Sequence, residues 1–209
     1  MRNLGLIGGL GPGATVHYYQ ELVKIQAGEL LIVHADVERV LGDVQRGDRT
    51  GLAAYFARLI DRLAAGGAEV AAISAIAPHI CIRELEKISA LPLVNIIEEV
   101  GAEIRLRGYK KVALFGTRFV VESRLFGMLD GVEVMVPEQV ETIHQIYLQV
   151  VNGGTEGRTI LSQIARDLPV DAIVLAGTDL SLIFSETNTD FPHVDCAKVH
   201  MQAIARELR

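Results

Sequence analysis

The chain has 209 residues, of which 50% are hydrophobic and 22% charged, with 20 glycines, 6 prolines and a net charge of -6 at pH 7. This is the balance of an ordinary globular protein and it excludes disorder and low complexity. An acidic chain with no Trp and 5% aromatic residues lacks the basic stripe and the stacking platform of a nucleic-acid binder.

Leu4-Gly5-Leu6-Ile7 predicts a buried strand entering the turn Gly8-Gly9-Leu10-Gly11-Pro12-Gly13, and Thr15 to Gln26 predicts a helix from apolar residues at helical spacing. Leu30-Leu31-Ile32-Val33 is a second continuous apolar run, Gly51 to Ala65 an amphipathic helix ended by Gly66-Gly67, and Val70-Ala71-Ala72-Ile73-Ser74 the next strand. Apolar runs alternating with helices predict an α/β protein whose parallel sheet is buried on both faces. The longest apolar stretch, Val70 to Ile82, is broken by Ser74, Pro78 and His79 and falls short of the roughly 20 residues that cross a bilayer, so no membrane segment is expected. Two cysteines, Cys81 and Cys196, and an N-terminus without a cleavable signal pattern lead us to expect a reducing cytoplasm.

The order then starts again. Lys111-Val112-Ala113-Leu114-Phe115 ends in Gly116-Thr117-Arg118 as the first strand ends in Gly8-Gly9, and Gly116 lies 108 residues after Gly8. Leu168 to Gly177 looks like Gly67 to Ala75, with Ala176 lying 102 residues after Ser74. Two similar doubly wound halves are expected, residues 1–100 and 101–209, the C-terminal helix being free to pack back on the first. Ligands of open α/β sheets bind beyond the carboxyl ends of the strands. Gly9-Leu10-Gly11, Ser74-Ala75, Gly116-Thr117 and Gly177-Thr178 are therefore expected to face one crevice.

The loop Gly9-Leu10-Gly11-Pro12-Gly13-Ala14 fits the loose dinucleotide pattern G-x-G-x-x-[GA], with Asp36 as the acidic ribose ligand. Against a nucleotide, Pro12 removes an N–H where a pyrophosphate needs donors, and Asp36 stands 25 residues from Gly11 rather than about 20. A third reading gives the Gly9 and Gly11 amides, at a helix N-terminus, to a small carboxylate.

Gly5-Leu6-Ile7-Gly8-Gly9-Leu10-Gly11-Pro12-Gly13-Ala14-Thr15 resembles the amino-terminal signature of the cofactor-independent aspartate/glutamate racemase family, whose loop usually reads Gly-Gly-Met-Gly-Pro-x-Ala-Thr. The resemblance continues through Leu91-Pro92-Leu93-Val94-Asn95-Ile96-Ile97 and Val112 to Arg118, to Asp195 and His200. It implies two halves related by a pseudo-twofold axis, a site in the cleft between them, and a homodimer. It also implies racemisation by two cysteines, one removing the α-proton as thiolate and one returning it as thiol.

This chain departs from the pattern at both thiols. Where the family has Cys-Asn-Thr-x-His it has Ala75-Ile76-Ala77-Pro78-His79, and where the family has Gly-Cys-Thr-Glu it has Ala176-Gly177-Thr178-Asp179. Ala75 and Gly177 thus hold the positions of the missing cysteines. Cys81 lies six residues past the first of these and reads as core packing before it reads as a reactive thiol, and Cys196 is further from both site strands.

The remaining proton carriers are His79, Asp179 and, third, His200. His79 follows Pro78 at a helix start, where the dipole favours the neutral ring, or it only braces a turn. Asp179 is a base or a helix cap. Thr117 and Thr178 read as carboxylate donors or as turn residues. Arg46, Arg49 and Arg118 read as solvated surface before they read as partners of an acidic substrate. With Ile76 and Ala77 replacing polar residues, a less polar portion of the substrate is expected there. The expected function is cofactor-independent and metal-free acid–base chemistry, as an isomerase, lyase or cyclase, on a small carboxylate. His79 and Asp179 would be catalytic, and Gly9, Gly11, Thr117 and Thr178 would hold the substrate. The alternatives are a non-catalytic binding or regulatory protein of the same fold, and a nucleotide-binding protein.

Overall fold

The computed structural model describes residues 1–9, 11–25 and 28–209. Leu10 of the predicted turn and Gln26 at the end of the predicted helix lie outside the described residues. The chain forms two compact units, residues 1–95 with 200–209, and residues 96–199. The division falls at Asn95 rather than at 100, and the last ten residues belong to the first unit.

In the first unit the order is β1 (Leu4–Gly8), α1 (Pro12–Lys24), β2 (Leu30–His34), α2 (Val37–Arg46), α3 (Arg49–Ala65), β3 (Val70–Ile73), a 3-10 turn Ala77–Cys81 leading into α4 (Ile82–Leu85), and β4 (Leu93–Val94). The strands lie in the order β2-β1-β3-β4 and every pairing is parallel. Leu4, Leu6 and Ile7 of β1 and Val70 to Ile73 of β3 are almost wholly buried, as expected of central strands covered on both faces. α3 packs its Leu63 closely against Gly5, where a Cβ would lie 2.9 Å from that of Leu63.

α1 begins at Pro12, three residues before the predicted start, because Gly11 takes the extended N-cap position and proline is pre-organised for the first helical turn. α3 begins two residues early, with the Asp48 carboxylate accepting the Gly51 N–H at 2.8 Å.

The second unit runs α5 (Ile96–Leu106), β5 (Lys111–Phe115), α6 (Arg118–Glu122), a 3-10 turn Leu125–Gly127, β6 (Glu133–Met135), α7 (Val140–Val151), α8 (Arg158–Asp167), β7 (Ala172–Leu175), a 3-10 turn Thr178–Leu182 and β8 (His193–Asp195). α9 (Cys196–Glu207) starts in this unit and ends in the first. The strand order β6-β5-β7-β8 repeats that of the first unit, again all parallel. Phe115, Ile143, Ile146, Tyr147, Leu161, Ile173 and Leu175 are part of one buried cluster in which α7 and α8 cover β5 and β7.

In each unit the chain moves from its first strand to one side and then crosses to the other, so the winding reverses between β1 and β3 and between β5 and β7. At such a reversal neighbouring connections leave in opposite directions and open a space at the strand ends. Gly9, Gly11 and Ala75 follow the two strands of the first reversal, and Gly116, Thr117 and Gly177 those of the second.

Candidate active site

The glycine loop of the first unit is built against its neighbours. Gly9 has φ +115°, and a Cβ on it would lie 2.8 Å from the Ala35 carbonyl oxygen and 2.9 Å from Cε1 of His34, so both conformation and space require glycine. Its N–H donates to Thr15 Oγ1 at 3.1 Å, and the same hydroxyl reaches the Gly11 carbonyl at 3.3 Å and Ser74 Oγ at 3.4 Å. The Gly9 amide, which the sequence reading gives to a substrate carboxylate, donates here to Thr15. Gly9 contributes a close backbone approach.

His79 exposes 1% of its surface, and its Nδ1 lies 2.8 Å from the Ala75 carbonyl oxygen. A carbonyl only accepts, so Nδ1 carries the proton and Nε2 is the bare nitrogen. Burial pushes the His79 pKa down to about 4, against hydrogen bonds to the Ala75 and Ile76 backbone. The ring is neutral, as expected, but through loss of solvent rather than through a helix dipole, for it sits in a 3-10 turn.

The His200 ring lies 6.4 Å from that of His79, edge to face. Its Nε2 lies 2.9 Å from the Val94 carbonyl oxygen and its Nδ1 2.9 Å from the Tyr18 hydroxyl. Both nitrogens are thus engaged, Nε2 donating and Nδ1 accepting. Burial, then the nearby His79, push its pKa down to about 3. His200 ties α9 to β4 and α1, and the third expected proton carrier is a structural residue.

Both cysteines are fully buried and free. Burial pushes the Cys81 thiol up to about 12, helped by Glu84, and its Sγ donates to the Pro78 carbonyl at 3.2 Å. Cys196 is raised well above the usual thiol range by burial and by Asp195. Neither is a thiolate near neutral pH, which is the form a racemase thiol needs.

In the second unit Gly116 and Gly177 let the strand ends close up. A Cβ on Gly116 would lie 2.6 Å from the Ala176 carbonyl oxygen, and one on Gly177 would lie 2.2 Å from Cε2 of Tyr147. Thr117 caps α6, accepting the Val120 N–H at 3.3 Å. Thr178 and Asp179 are 2% and 1% exposed, and the Tyr147 hydroxyl donates to Asp179 Oδ2 at 3.2 Å. Burial, then the Asp179 charge, push the Tyr147 phenol well above its usual pKa. One turn earlier on α7, His144 Nδ1 accepts the Arg118 N–H at 3.3 Å, while the Arg118 guanidinium pairs with Glu141.

The remaining candidates have structural partners or lie on the surface. Asp36 is the N-cap of α2, accepting the Arg39 N–H at 3.1 Å, which gives the expected ribose ligand of the nucleotide reading a structural task. Arg46 pairs with Asp43 at 2.5 Å, and Arg49 is exposed. Among the described residues no three His, Cys, Asp or Glu side chains gather as a metal site, and no helix is long and apolar enough to cross a membrane.

Sequence reasoning missed Tyr147 and His144. They stand three residues apart on one face of α7, a spacing legible in the sequence. Their meeting with Asp179 and with the start of α6 depends on tertiary packing.

Residues 7–204 match the family described as Asp/Glu/hydantoin racemase. Among solved structures, the chain is similar to an aspartate racemase homologue from Pyrococcus horikoshii OT3, at 25% identity and TM-score 0.80 over 100% of this chain and 99% of that one. Its fold is also that of the Picrophilus torridus aspartate racemase, at 21% identity and TM-score 0.82 over 100% and 94%. It is likewise similar to a Thermus thermophilus glutamate racemase solved with β-chloro-D-alanine, at 20% identity and TM-score 0.66 over 99% and 80%. With two parallel sheets of four strands and a match along nearly its whole length, the chain belongs to the Asp/Glu/hydantoin racemase family.

Proposed function

We propose that this chain uses the racemase fold for cofactor-independent acid–base chemistry on a small carboxylate, as an isomerase, lyase or cyclase, without thiols. The observation that supports the reading is that Cys81 and Cys196 are buried and held protonated, while Ala75 and Gly177 stand where the resemblance sets the family's thiols. His79, with a bare Nε2 and a ring neutral at pH 7, and Asp179 are the groups assigned to remove and return the proton. Each such group contributes roughly 10²–10⁴-fold to a rate. Gly11, Thr117 and Thr178 are assigned to the substrate carboxylate, and buried Ile76 to a less polar portion. The proposal includes a homodimer, supported by family membership, and a cytoplasmic setting, supported by the two free thiols.

The test is a panel of small carboxylic acids scored by melting temperature and by proton exchange from solvent deuterium, since a ligand stabilises the state it binds. An acid that raises the melting temperature and exchanges a carbon-bound proton supports the reading. Loss of that exchange in a Cys81→Ala variant would overturn it. The burial of His79 and Asp179 favours a second reading, a carboxylate-binding or regulatory protein without turnover. That reading is supported by acids that bind and never exchange.

A further inference from the structure

Tyr147 takes no part in the reaction as assigned above, yet it touches both residues that define the second unit's strand end. Its ring covers Gly177 so closely that a Cβ there would lie 2.2 Å from Cε2, 2.8 Å from Cζ and 2.9 Å from Cδ2. Real Cβ atoms do not approach ring carbons at such distances, and a larger side chain at 177 would extend further into the ring. The backbone of Gly177 is extended, with φ −144°, so the constraint on this position is space and not conformation. The same side chain, 8% exposed, directs its hydroxyl to Oδ2 of Asp179, two residues beyond Gly177.

We infer that Tyr147 is a positioning residue for Asp179 and the group that keeps position 177 free of any side chain, so that a ring at 147 and a side chain at 177 exclude one another. The inference rests on the assignment of Asp179 as the second unit's proton-carrying group. A phenol donor fixes one carboxylate oxygen and stabilises the charged form. The packed ring keeps water from the Gly177 face. His144, on the same side of α7 and bonded to the Arg118 N–H, anchors the helix over the end of β5, so the ring's placement follows from the helix and not from a mobile loop.

Two measurements on the full chain test this, and neither needs turnover. In protein with ¹³C-labelled aspartate side chains, Tyr147→Phe keeps the ring and removes the hydroxyl, and the Asp179 carboxyl should then bind its proton about tenfold more tightly, the scale of one lost hydrogen bond to a charge. An unchanged Asp179 titration overturns the positioning role. For the steric half, Gly177→Ala should lower the melting temperature of the wild type and cost little or nothing in a Tyr147→Ala background, a coupling expected only of residues in contact. Additive effects overturn that half, and should Tyr147→Ala fail to fold, the same cycle run with Tyr147→Leu, which also removes the ring, decides it. Failure here with exchange of a carboxylate intact refutes the role of Tyr147 alone, whereas both results as expected with no exchange from any carboxylate refute the proposed reaction alone.

Discussion

The Nδ1 of His79 is hydrogen-bonded to the backbone carbonyl of Ala75 at 2.8 Å, so this histidine is oriented by the main chain of the residue that the resemblance sets at the first cysteine position. The bond involves the main chain of position 75 and not its side chain, so it does not depend on which side chain stands there. Beyond the end of β3 the chain thus holds a neutral imidazole with a fixed tautomer.

Once a substrate is found, His79→Asn and Asp179→Asn should each lower kcat by roughly 10²–10⁴-fold, with circular dichroism unchanged. Steady-state kinetics decide. Full activity in both variants would remove proton transfer from these residues.

Stability should depend on pH through the two buried imidazoles of the first unit. The folded pKa values, about 4 for His79 and about 3 for His200, lie below the ordinary 6.5, so between these limits the unfolded chain binds more protons. Their stabilising effect is therefore complete above pH 6.5 and is lost as pH falls toward 4 and then 3. Each contributes a loss of roughly 3 kcal/mol by pH 4. Urea unfolding of wild type and His200→Gln at pH 7 and pH 4.5 measures this. The variant should be less stable at pH 7 and show a clearly shallower fall.

Cys81 and Cys196 should not react with a disulfide reagent at pH 8 in the folded protein, and both should react once it is denatured. Burial holds both thiols protonated and shielded, while an ordinary thiol is partly ionised at that pH. Fast labelling of Cys81 in the native state would restore it as a candidate nucleophile.

Thr117→Ala should destabilise the protein by about 1 kcal/mol, the usual cost of removing a hydroxyl N-cap, because its oxygen caps α6. Thermal unfolding checks this. Thr117 and Thr178 are both proposed to hold the substrate carboxylate, so calorimetry on Thr117→Ala and Thr178→Ala with any acid that binds the wild type should show weaker binding in each, beside the stability cost expected of Thr117→Ala.

Much of the fold is legible because its central strands carry dense local signals. β1, β3, β5 and β7 are continuous apolar runs, and Gly8, Gly116 and Gly177 stand at or just past the ends of three of them, which also exposes the repeat. β6 and β8 escape notice because they are three-residue strands next to β5 and β7 at the margins of the sheet, with half-exposed residues at Val134 and His193. α2 escapes because Asp36 is read only as a ribose ligand, whereas its carboxylate caps the helix. At the site, the strand-end residues can be placed from sequence, but their engagement cannot. That Thr15 takes the Gly9 amide is a contact across a turn, and that Tyr147 closes over Gly177 is a contact between segments 30 residues apart.

The central claim is that this member of the family does not use thiols, and its most direct test is Cα proton exchange. Purified protein is incubated with L-aspartate and with L-glutamate in heavy water, and the α-proton signal is followed by NMR. Ala75 and Gly177, which the resemblance sets at the two thiol positions, offer neither base nor acid, so no loss of signal beyond the protein-free control is expected. Exchange at enzymatic rates, about 1 per second or faster, that disappears on Cys81→Ala would contradict the account and return the chemistry to a cysteine.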